Sequence, residues 1–438
     1  MHIGDDSLYC PPLPLLWADR SDTSTPAEAL HRACLKEMWG SRGVVGRALL
    51  VLRFATWPFI LAGACAYMTW RNGRAISRRT GRGTTRQVVD QVAIAARHGI
   101  MPPWYYMFEL YRDENRARAG DYLHRFETKY NLYFLIKTHL ERGDGRILAD
   151  KEAFGLRCAE HGIATPPIIA VAENGTVRAP RRRAGGAAGP VRFTQDDLFI
   201  KPRKGKGGRG TLRATRVGED GYRLSDGSTV SEAGLRGLLE TSSSRQALLV
   251  QARLVNHADM LDMCADALCC VRILTCRNQD GGIEVTNAAF RMALRNDTTI
   301  DGLHRGGIAA NVDVDSGRLG PATNLGLTPE IGWCDENPAT GVPIAGRILP
   351  MWAETCALAI RAHAMLPHKV MVGWDMAITP DGPVVVEGNG APCVDIIQRV
   401  TCEPLGAGRF GALLAWHVDR AIEVRDRAEL VSGHPVRA

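Results

Sequence analysis

A glycine-rich loop between two short apolar segments restricts the fold of this chain more than any other feature of its sequence. The loop, GKGGRG, contains Gly205, Gly207 and Gly210 and matches the G-x-G-x-x-G pattern of phosphate-binding turns. The segments on both sides, 198–200 and 211–217, have the composition of β-strands. A dinucleotide-binding turn opens a helix instead, and a Walker A turn ends in Gly-Lys-Ser/Thr, which is absent here. The pattern therefore predicts a strand–loop–strand unit rather than either of those nucleotide folds.

Four cationic side chains surround the loop: Lys201, Arg203, Lys204 and Lys206. Glycines allow backbone N–H groups to approach an anion closely, and the cations neutralise it. A protein-kinase loop also joins two strands, but its lysine lies downstream and is accompanied by HRD and DFG segments that this chain lacks. The loop alone leaves two alternatives open, a phosphate lid and a solvated basic hairpin.

A second chemical signal is the segment GWDMAITPDGPVVVEGNG, which predicts a β-hairpin around a Pro-Asp-Gly turn. Glu387 and Asn389 are two residues apart, so their side chains point to the same face of the strand. Asp375 lies on the other strand and can oppose them. Two carboxylates and an amide oxygen form a hard ligand set of the kind that Mg²⁺ prefers. A pair of surface acids beside a turn is the simpler alternative, but a carboxylate that ends a buried strand is costly unless it is paired.

Size, charge and cysteine content exclude several classes of protein. A chain of 438 residues exceeds one ordinary core, so two or three lobes are expected. Its formal net charge of +7 is mild, and there are no lysine blocks of the kind that a dedicated nucleic-acid binder carries. The 12 cysteines have no paired C-x-x-C spacing. We therefore expect a cytoplasmic protein with reduced thiols, no signal peptide, no zinc site and no disulfide framework.

The N-terminal region contains an apolar segment of uncertain environment. Residues 54–70 carry no charge, which is near the lower limit for a membrane span, and arginines flank the segment on both sides. The sequence favours a buried helix here, while contact of residues 44–86 with the inner membrane surface is the alternative. Residues 1–43 have little patterning, whereas residues 87–142 predict helices with a break at Pro102 and Pro103.

In order and content, these motifs resemble the ATP-grasp family, to which D-alanine–D-alanine ligase belongs, over about residues 148 to 400. The segments VRILT, HRGGIAANVD, NPATG and GWDMAITPDGPVVVEGN look more narrowly like the sugar-transfer-associated ATP-grasp branch, which is related to α-L-glutamate ligases. This resemblance implies an α+β fold in which two subdomains clasp ATP. It implies four regions: an N-terminal segment (1–86), a helical lead-in (87–147), a lid-bearing subdomain (148–250) and a magnesium-binding subdomain (251–438).

The resemblance also implies a role for each site residue. Lys151 and Lys201 would bind the ATP phosphates under a lid. The lid glycines would be Gly205, Gly207, Gly208 and Gly210. Residues 251–254, from Gln251 to Leu254, would lie beside adenine, and Asp259 would reach the ribose. Arg272 and Arg291 would stabilise the transferred phosphoryl group, while Asp375, Glu387 and Asn389 would hold Mg²⁺.

The activity implied is ATP-dependent ligation of a carboxylate to an amine or other nucleophile, acting on a sugar or cell-surface polysaccharide precursor. Two departures from the branch, Gly302 after Asp301 and Asn337 before the Pro-x-Thr-Gly segment, fall where we expect the acceptor to bind. Two alternatives remain: a phosphotransferase that acts on a hydroxyl group, and a non-catalytic nucleotide-binding scaffold at a membrane. The intact set of Lys201, Asp375, Glu387 and Asn389 argues against the scaffold.

Overall fold

The structure is a computed structural model, and it describes residues 25–143, 147–181, 191–205, 210–264, 267–294, 303, 306–330 and 332–432. Helices form the first part of the described chain. Their bounds are α1 (Pro26–Gly40), α2 (Val44–Thr80), α3 (Thr84–His98), α4 (Pro102–Met107), α5 (Asp113–Ala117), a π-helical turn (Glu127–Leu132) and α6 (Tyr133–His139). The helices predicted over 87–142 are thus confirmed. Pro102 and Pro103 begin α4, where the missing N–H groups have no intrahelical partner to lose.

Helix α1 lies in the region that was expected to have little patterning, so that expectation is wrong. Thr25 is the N-cap, since its side chain accepts a hydrogen bond of 3.2 Å from the backbone N–H of Glu28. Pro26 occupies the first turn, and Leu30, Cys34 and Met38 are buried. The Thr-Pro-Ala-Glu start is the sequence signal that indicates this helix.

The first sheet carries the glycine-rich loop and contains seven antiparallel strands in the order β2-β1-β7-β3-β4-β5-β6. Their bounds are β1 (Ile168–Glu173), β2 (Thr176–Arg178), β3 (Asp197–Pro202), β4 (Leu212–Val217), β5 (Gly221–Leu224), β6 (Thr229–Ser231) and β7 (Leu248–Ala252). β3 pairs with β4 in the register Ile200↔Leu212, which confirms the strand–loop–strand prediction. Helix α7 (Lys151–Glu160) precedes this sheet, and α8 (Glu232–Ser243) packs against it with Ser231 as its N-cap.

The second sheet also has seven antiparallel strands, in the order β12-β11-β10-β9-β8-β13-β14. Their bounds are β8 (Cys270–Arg277), β9 (Ile283–Met292), β10 (Ile308–Val312), β11 (Leu319–Thr323), β12 (Trp333–Cys334), β13 (Met371–Thr379) and β14 (Gly382–Asn389). The remaining helices are α9 (Trp352–Ala364), α10 (Asp395–Thr401) and α11 (Arg409–Ser432). The architecture is therefore α+β with a helical N-terminal region, as expected.

The two faces of the second sheet are covered by different parts of the chain. Val271, Phe290 and Trp374 are buried on one face, in a core that they share with α9. Leu274 and Ala289 lie on the other face, in a core that contains residues from α1 to α4, α6, α10 and α11. The helical region thus covers part of one sheet face, and the uncovered part of that face carries the charged residues described below.

Helix α2 is one continuous helix of 37 residues, long and apolar enough by length and composition to cross a membrane. Only 28% of its most apolar window is buried. The favoured expectation of a buried helix therefore holds for one face only, which includes Leu50, Trp57 and Leu61, because the opposite face has no packing partner among the described residues.

Cys264 and Cys269 form a disulfide, whereas the other nine described cysteines form none. The expectation that all thiols are reduced is wrong for this pair, whose Cα atoms lie 6.4 Å apart, within the range that a disulfide spans.

Candidate functional site

The hairpin of β13 and β14 brings the predicted acidic residues together. Asp375 is directly opposite Glu387, and Gly373 is opposite Asn389. All residues of β13 except Asp375 are buried, so this carboxylate is the only side chain of the strand that reaches the open face of the sheet. Glu387 and Asn389 are partly exposed on their strand, and Gly388 between them is buried. The sequence argument for a shared face is consistent with this arrangement.

Two arginines from neighbouring strands bind the Asp375 carboxylate. Oδ1 of Asp375 lies 2.6 Å from Nε of Arg272 and 3.3 Å from a terminal guanidinium nitrogen of Arg291. Arg272 reaches it because β8 pairs with β13 in the register Asp375↔Arg272. Burial alone raises the pKa of Asp375, but the two guanidinium groups outweigh it, so the pKa lies below its ordinary value. The carboxylate is therefore ionised at neutral pH.

A glycine on the same strand allows the Arg272 side chain to come this close. A Cβ atom at Gly373 would lie 2.8 Å from Cβ of Pro392 and 3.4 Å from a guanidinium nitrogen of Arg272. The space beside the strand is thus filled by the proline and the guanidinium group, and glycine is the residue that leaves room for both.

The two predicted phosphate-binding lysines meet the acidic hairpin at the end of β3. The ammonium of Lys151 donates a hydrogen bond of 3.0 Å to the carbonyl oxygen of Gly205 and lies 4.0 Å from Oε2 of Glu387. Lys201 is the last but one residue of β3, and its side chain forms no hydrogen bond or ion pair with another residue that the structure describes. The base of the glycine loop, the two lysines and the carboxylates therefore line one cleft between the two sheets.

Lys201 has an unusual electrostatic environment. It is 7% exposed, and burial together with the neighbouring positive charge of Lys151 lowers its pKa to about 8, although Glu387 and Asp375 act in the opposite direction. A nearly buried ammonium without a direct anionic partner loses hydration that nothing replaces. The site therefore favours an anion beside Lys201.

Arg203 does not contribute to this cluster in the way that the sequence indicated. Its guanidinium group donates two hydrogen bonds to Asp150, of 2.8 and 2.7 Å, and one of 2.9 Å to Glu173. Asp150 is also the N-cap of α7, the helix that begins with Lys151. Because its donors are used in this way, Arg203 anchors the start of α7 to the loop rather than facing a phosphate.

The remaining predicted nucleotide contacts differ in their burial. Gln251 is buried at the end of β7, and its side-chain amide donates to the carbonyl oxygen of Pro166. Leu254 is half-buried beyond the strand, whereas Asp259 is exposed on a 3₁₀ turn. Gly210 has a φ of 73°, in the left-handed region that favours glycine. Gly207 and Gly208 lie outside the described residues.

The segments that we expected to bind the acceptor are only partly described, since Asp301, Gly302, His304 and Arg305 lie outside the described residues. Asn337 is buried, and its amide donates to the carbonyl oxygen of Met263 and accepts from the N–H of Ala339. Asn337 therefore holds its own loop together, and these two hydrogen bonds fix the orientation of its amide.

The sequence analysis did not single out Lys129, which lies on the π-helical turn. Burial, with the positive charges of Arg125 and Arg272, lowers its pKa, although Asp395 acts in the opposite direction. Its side chain forms no hydrogen bond or ion pair with a described residue. π-Helical turns occur frequently at functional sites, but a sequence pattern does not reveal them.

The predicted metal ligands all offer oxygen atoms, which are the donors that a hard metal ion prefers. Among the described residues no three His, Cys, Asp or Glu side chains converge on one point. The predicted set contains only two carboxylates, and Asp375 is already paired with arginines. Glu387 is the more available one, because its closest cation among the described residues is Lys151 at 4.0 Å and its side chain is 27% exposed. Oxygen donors of this kind, few in number, suit Mg²⁺, which keeps several water ligands.

Several solved structures are similar to this chain. The D-alanine–D-alanine ligase from Coxiella burnetii is 12% identical with a TM-score of 0.34, over 65% of this chain and 62% of that one. An ADP complex of N5-carboxyaminoimidazole ribonucleotide synthetase is 12% identical with a TM-score of 0.32, over 56% of this chain and 45% of that one. The chain thus spans between about half and two thirds of the length of these relatives. No curated protein matches it in sequence.

The family model described as sugar-transfer associated ATP-grasp matches residues 130–406. This range contains both sheets, the glycine loop and every charged residue of the cleft. The chain therefore belongs to the sugar-transfer associated ATP-grasp family.

Proposed function

We propose that the protein is an ATP-dependent ligase that activates a carboxylate as an acyl-phosphate and joins it to a nucleophile. The observation that carries this proposal is the convergence of Lys151, Lys201 and the glycine loop with the arginine-bound Asp375 and Glu387. The cations, on β3 and at the start of α7, line the same cleft as the arginine-paired carboxylate of the second sheet. This charge distribution suits the polyphosphate of ATP and a phosphoryl group in transfer.

Each part of the cleft has a role in this proposal. Lys151 and Lys201 bind the phosphates, with Gly205, Gly207, Gly208 and Gly210 as the lid. Gln251 and Leu254 contact adenine, and Asp259 contacts the ribose. Arg272 and Arg291 stabilise the phosphoryl group in transfer. Glu387 and Asn389, with Asp375, would hold Mg²⁺, which supplies charge neutralisation for the phosphates when bound.

The reaction proceeds in two steps. A carboxylate oxygen attacks the γ-phosphorus of ATP, so that a new O–P bond forms while the bond to the β-phosphate oxygen breaks and ADP leaves. An amine then attacks the acyl carbon, phosphate leaves with the C–O electron pair, and the amine loses a proton. Arginines beside the reacting phosphoryl group compensate the charge that develops on it. The lid excludes water that would hydrolyse the acyl-phosphate.

The substrate that we propose is a carboxylate on a sugar or cell-surface polysaccharide precursor. Lys129 supports a carboxylate substrate, because it is a half-buried cation that forms no hydrogen bond or ion pair with a described residue, and the positive charge of Arg272 acts on it. We propose a cytoplasmic location, where ATP is available, with contact to the inner membrane surface through residues 44–86.

The test is Mg²⁺-dependent ATP binding, measured by calorimetry on the wild type and on Lys201→Ala and Glu387→Gln. Loss of a charge-assisted contact costs about 1.5–3 kcal/mol, so we expect binding about tenfold to a hundredfold weaker in Lys201→Ala. Glu387→Gln should lose Mg-ATP turnover while it keeps the fold. Lys137→Ala and Glu354→Gln, two exposed positions on α6 and α9, are matched controls and should behave as the wild type.

The outcomes separate the rival functions. Full turnover in Glu387→Gln would contradict the metal assignment, and no ATP binding by any form would leave a non-catalytic scaffold. Hydroxylamine added during turnover distinguishes the two enzymes, because it traps an acyl-phosphate as a hydroxamate. A phosphorylated acceptor without hydroxamate would identify a phosphotransferase instead.

A further inference from the structure

Helix α2 presents a long apolar face that no described residue covers. Val45, Leu49, Leu52, Phe59 and Trp70 are between 59% and 79% exposed. Every exposed residue from Val44 to Trp70 is uncharged, and the stretch is about 40 Å long at the rise of an α-helix. Soluble monomers rarely expose an apolar patch of this length, so the face has the character of a docking surface.

The charges around this face identify the kind of partner. The chain has no acidic residue between Glu37 and Asp90, and this interval contains nine arginines. Because the whole chain has a formal net charge of +7, the rest of it is net −2. The positive charge of the protein is therefore concentrated in and beside α2, and it complements an anionic surface.

Four of these arginines are available to such a surface. Arg71, Arg74, Arg78 and Arg79 are exposed in the last turns of α2, and none forms an ion pair with a described residue. Arg71 donates to the hydroxyl of Tyr67 and Arg79 to the carbonyl oxygen of Pro329, both neutral groups. By contrast, Arg82 is bound by the carboxylates of Asp90 and Asp113. At a membrane interface, apolar side chains contact the acyl chains, aromatic residues lie at the boundary and cations contact the headgroups. The exposed face of α2 has the same order of residue types.

The packing of α2 against the rest of the protein indicates whether the helix lies on a membrane or crosses it. Its other face is buried against the helical core from Leu50 to Ile76. Near its end, Gln87 donates a hydrogen bond to the carbonyl oxygen of Gly73, and Asn72 is buried. A helix that crossed the bilayer would lose these contacts along its whole length. A helix in the plane of the interface keeps them and still buries its exposed face.

We propose that α2 docks the protein on an anionic lipid surface, with its apolar face at the acyl-chain boundary and Arg71, Arg74, Arg78 and Arg79 on the headgroups. This inference rests on the membrane contact proposed above and specifies its partner, but the surface lies outside the catalytic cleft, so it does not depend on the proposed reaction. The helix is thus a peripheral anchor for the protein.

Co-sedimentation with vesicles tests the proposal, using phosphatidylcholine alone and phosphatidylcholine mixed with phosphatidylglycerol. We expect the wild type to bind the anionic vesicles and to bind the neutral ones at least tenfold more weakly. Arg74→Gln/Arg78→Gln should weaken anionic binding about 25-fold, since each arginine near the surface contributes about fivefold. Phe59→Ser/Trp70→Ser removes apolar contact and should weaken it at least tenfold.

Matched controls use exposed residues elsewhere on the molecule. Arg223→Gln/Arg245→Gln and Ile348→Ser should bind as the wild type does, and all variants should bind ATP equally if the catalytic proposal holds. Failure of wild-type binding, or equal loss in the controls, would overturn the proposal. A dimer in light scattering that Phe59→Ser/Trp70→Ser dissociates, without lipid binding, would assign the face to a second copy. Bound protein that resists alkaline carbonate extraction would overturn the in-plane arrangement.

Discussion

If the cleft binds ATP as proposed, the protonation of Lys201 sets the pH range in which it does so. Its pKa in the folded protein is lowered to about 8 by burial and by Lys151. Above pH 8 the free protein carries a neutral lysine, so that ATP binding requires uptake of a proton. We expect the affinity for ATP to fall by up to about tenfold per pH unit above this value, as measured by calorimetry between pH 7.5 and 9.5.

Lys201→Met provides the control for this prediction. The variant should bind ATP weakly and without the same pH dependence, and an identical slope in both proteins would contradict the assignment.

The pH dependence of stability has the opposite sign to the pH dependence of ATP binding. Between pH 8 and the ordinary lysine value of 10.5, the unfolded chain binds more protons at this position than the folded one. The contribution of Lys201 to the free energy of unfolding without ATP therefore rises with pH in this window.

At the level of elements, the start of α7 is positioned by one carboxylate. Asp150 accepts hydrogen bonds from the N–H groups of Glu152 and Ala153 and also binds Arg203. Asp150→Ala should lower the free energy of unfolding by about 2 kcal/mol, of which the cap contributes about 1. Asp150→Asn keeps a capping oxygen and should cost less. Urea unfolding at pH 7 measures both.

The pH dependence of this contribution has a defined direction. Burial raises the pKa of Asp150, but its hydrogen bonds with Arg203 and the helix N–H groups outweigh this effect, and the pKa lies below its ordinary value of 3.8. The stabilisation is complete above that ordinary value and is lost as the pH falls through the lower, folded value. The difference between the wild type and Asp150→Asn should therefore shrink at pH 3. A constant difference from pH 7 to pH 3 would show that the ion pair contributes nothing.

Local sequence patterns predicted the elements that carry the site, because those patterns depend on neighbours in the chain. The alternation around Asp375 and Glu387 and the glycines after Lys201 belong to this class. Contacts between distant elements were not predictable in the same way. That Arg203 binds Asp150 rather than a phosphate, or that Lys129 on a helix lies near Arg272 on a strand, depends on how the helices cover the sheet. Helix α1 was missed although its cap was present in the sequence.

At the scale of the whole molecule, the helical region and the second sheet share one hydrophobic core. Val418 of α11, Leu30 of α1 and Leu274 of β8 all belong to it. The boundaries drawn from the sequence at residues 86, 147 and 250 remain a prediction about domains. The shared core indicates that the helical region and the second sheet unfold together.

A buried ion pair joins these two parts and offers a test of their cooperativity. Arg399 of α10, 2% exposed, lies 3.0 Å from the carboxylate of Glu109 and donates to Thr323 at the end of β11. Burial raises the pKa of Glu109, but Arg399 and Arg112 outweigh it, so the group is ionised and its pKa lies below the ordinary value. Arg399→Met leaves this charge buried and should cost about 3–5 kcal/mol, whereas Glu109→Gln/Arg399→Met should recover part of the loss.

Urea unfolding followed by tryptophan fluorescence reports on both parts at once, since Trp104 is buried in the helical region and Trp374 in the second sheet. We expect one transition in the wild type and one, at lower urea, in Arg399→Met. Arg409→Gln breaks an exposed pair with Glu284 and should leave the transition unchanged. Two separate transitions in the wild type would show that the helical region folds on its own and that the ion pair is a contact between independent domains. A single transition instead requires that the helical region, which supplies both Lys129 and the apolar face of α2, forms only together with the catalytic sheet.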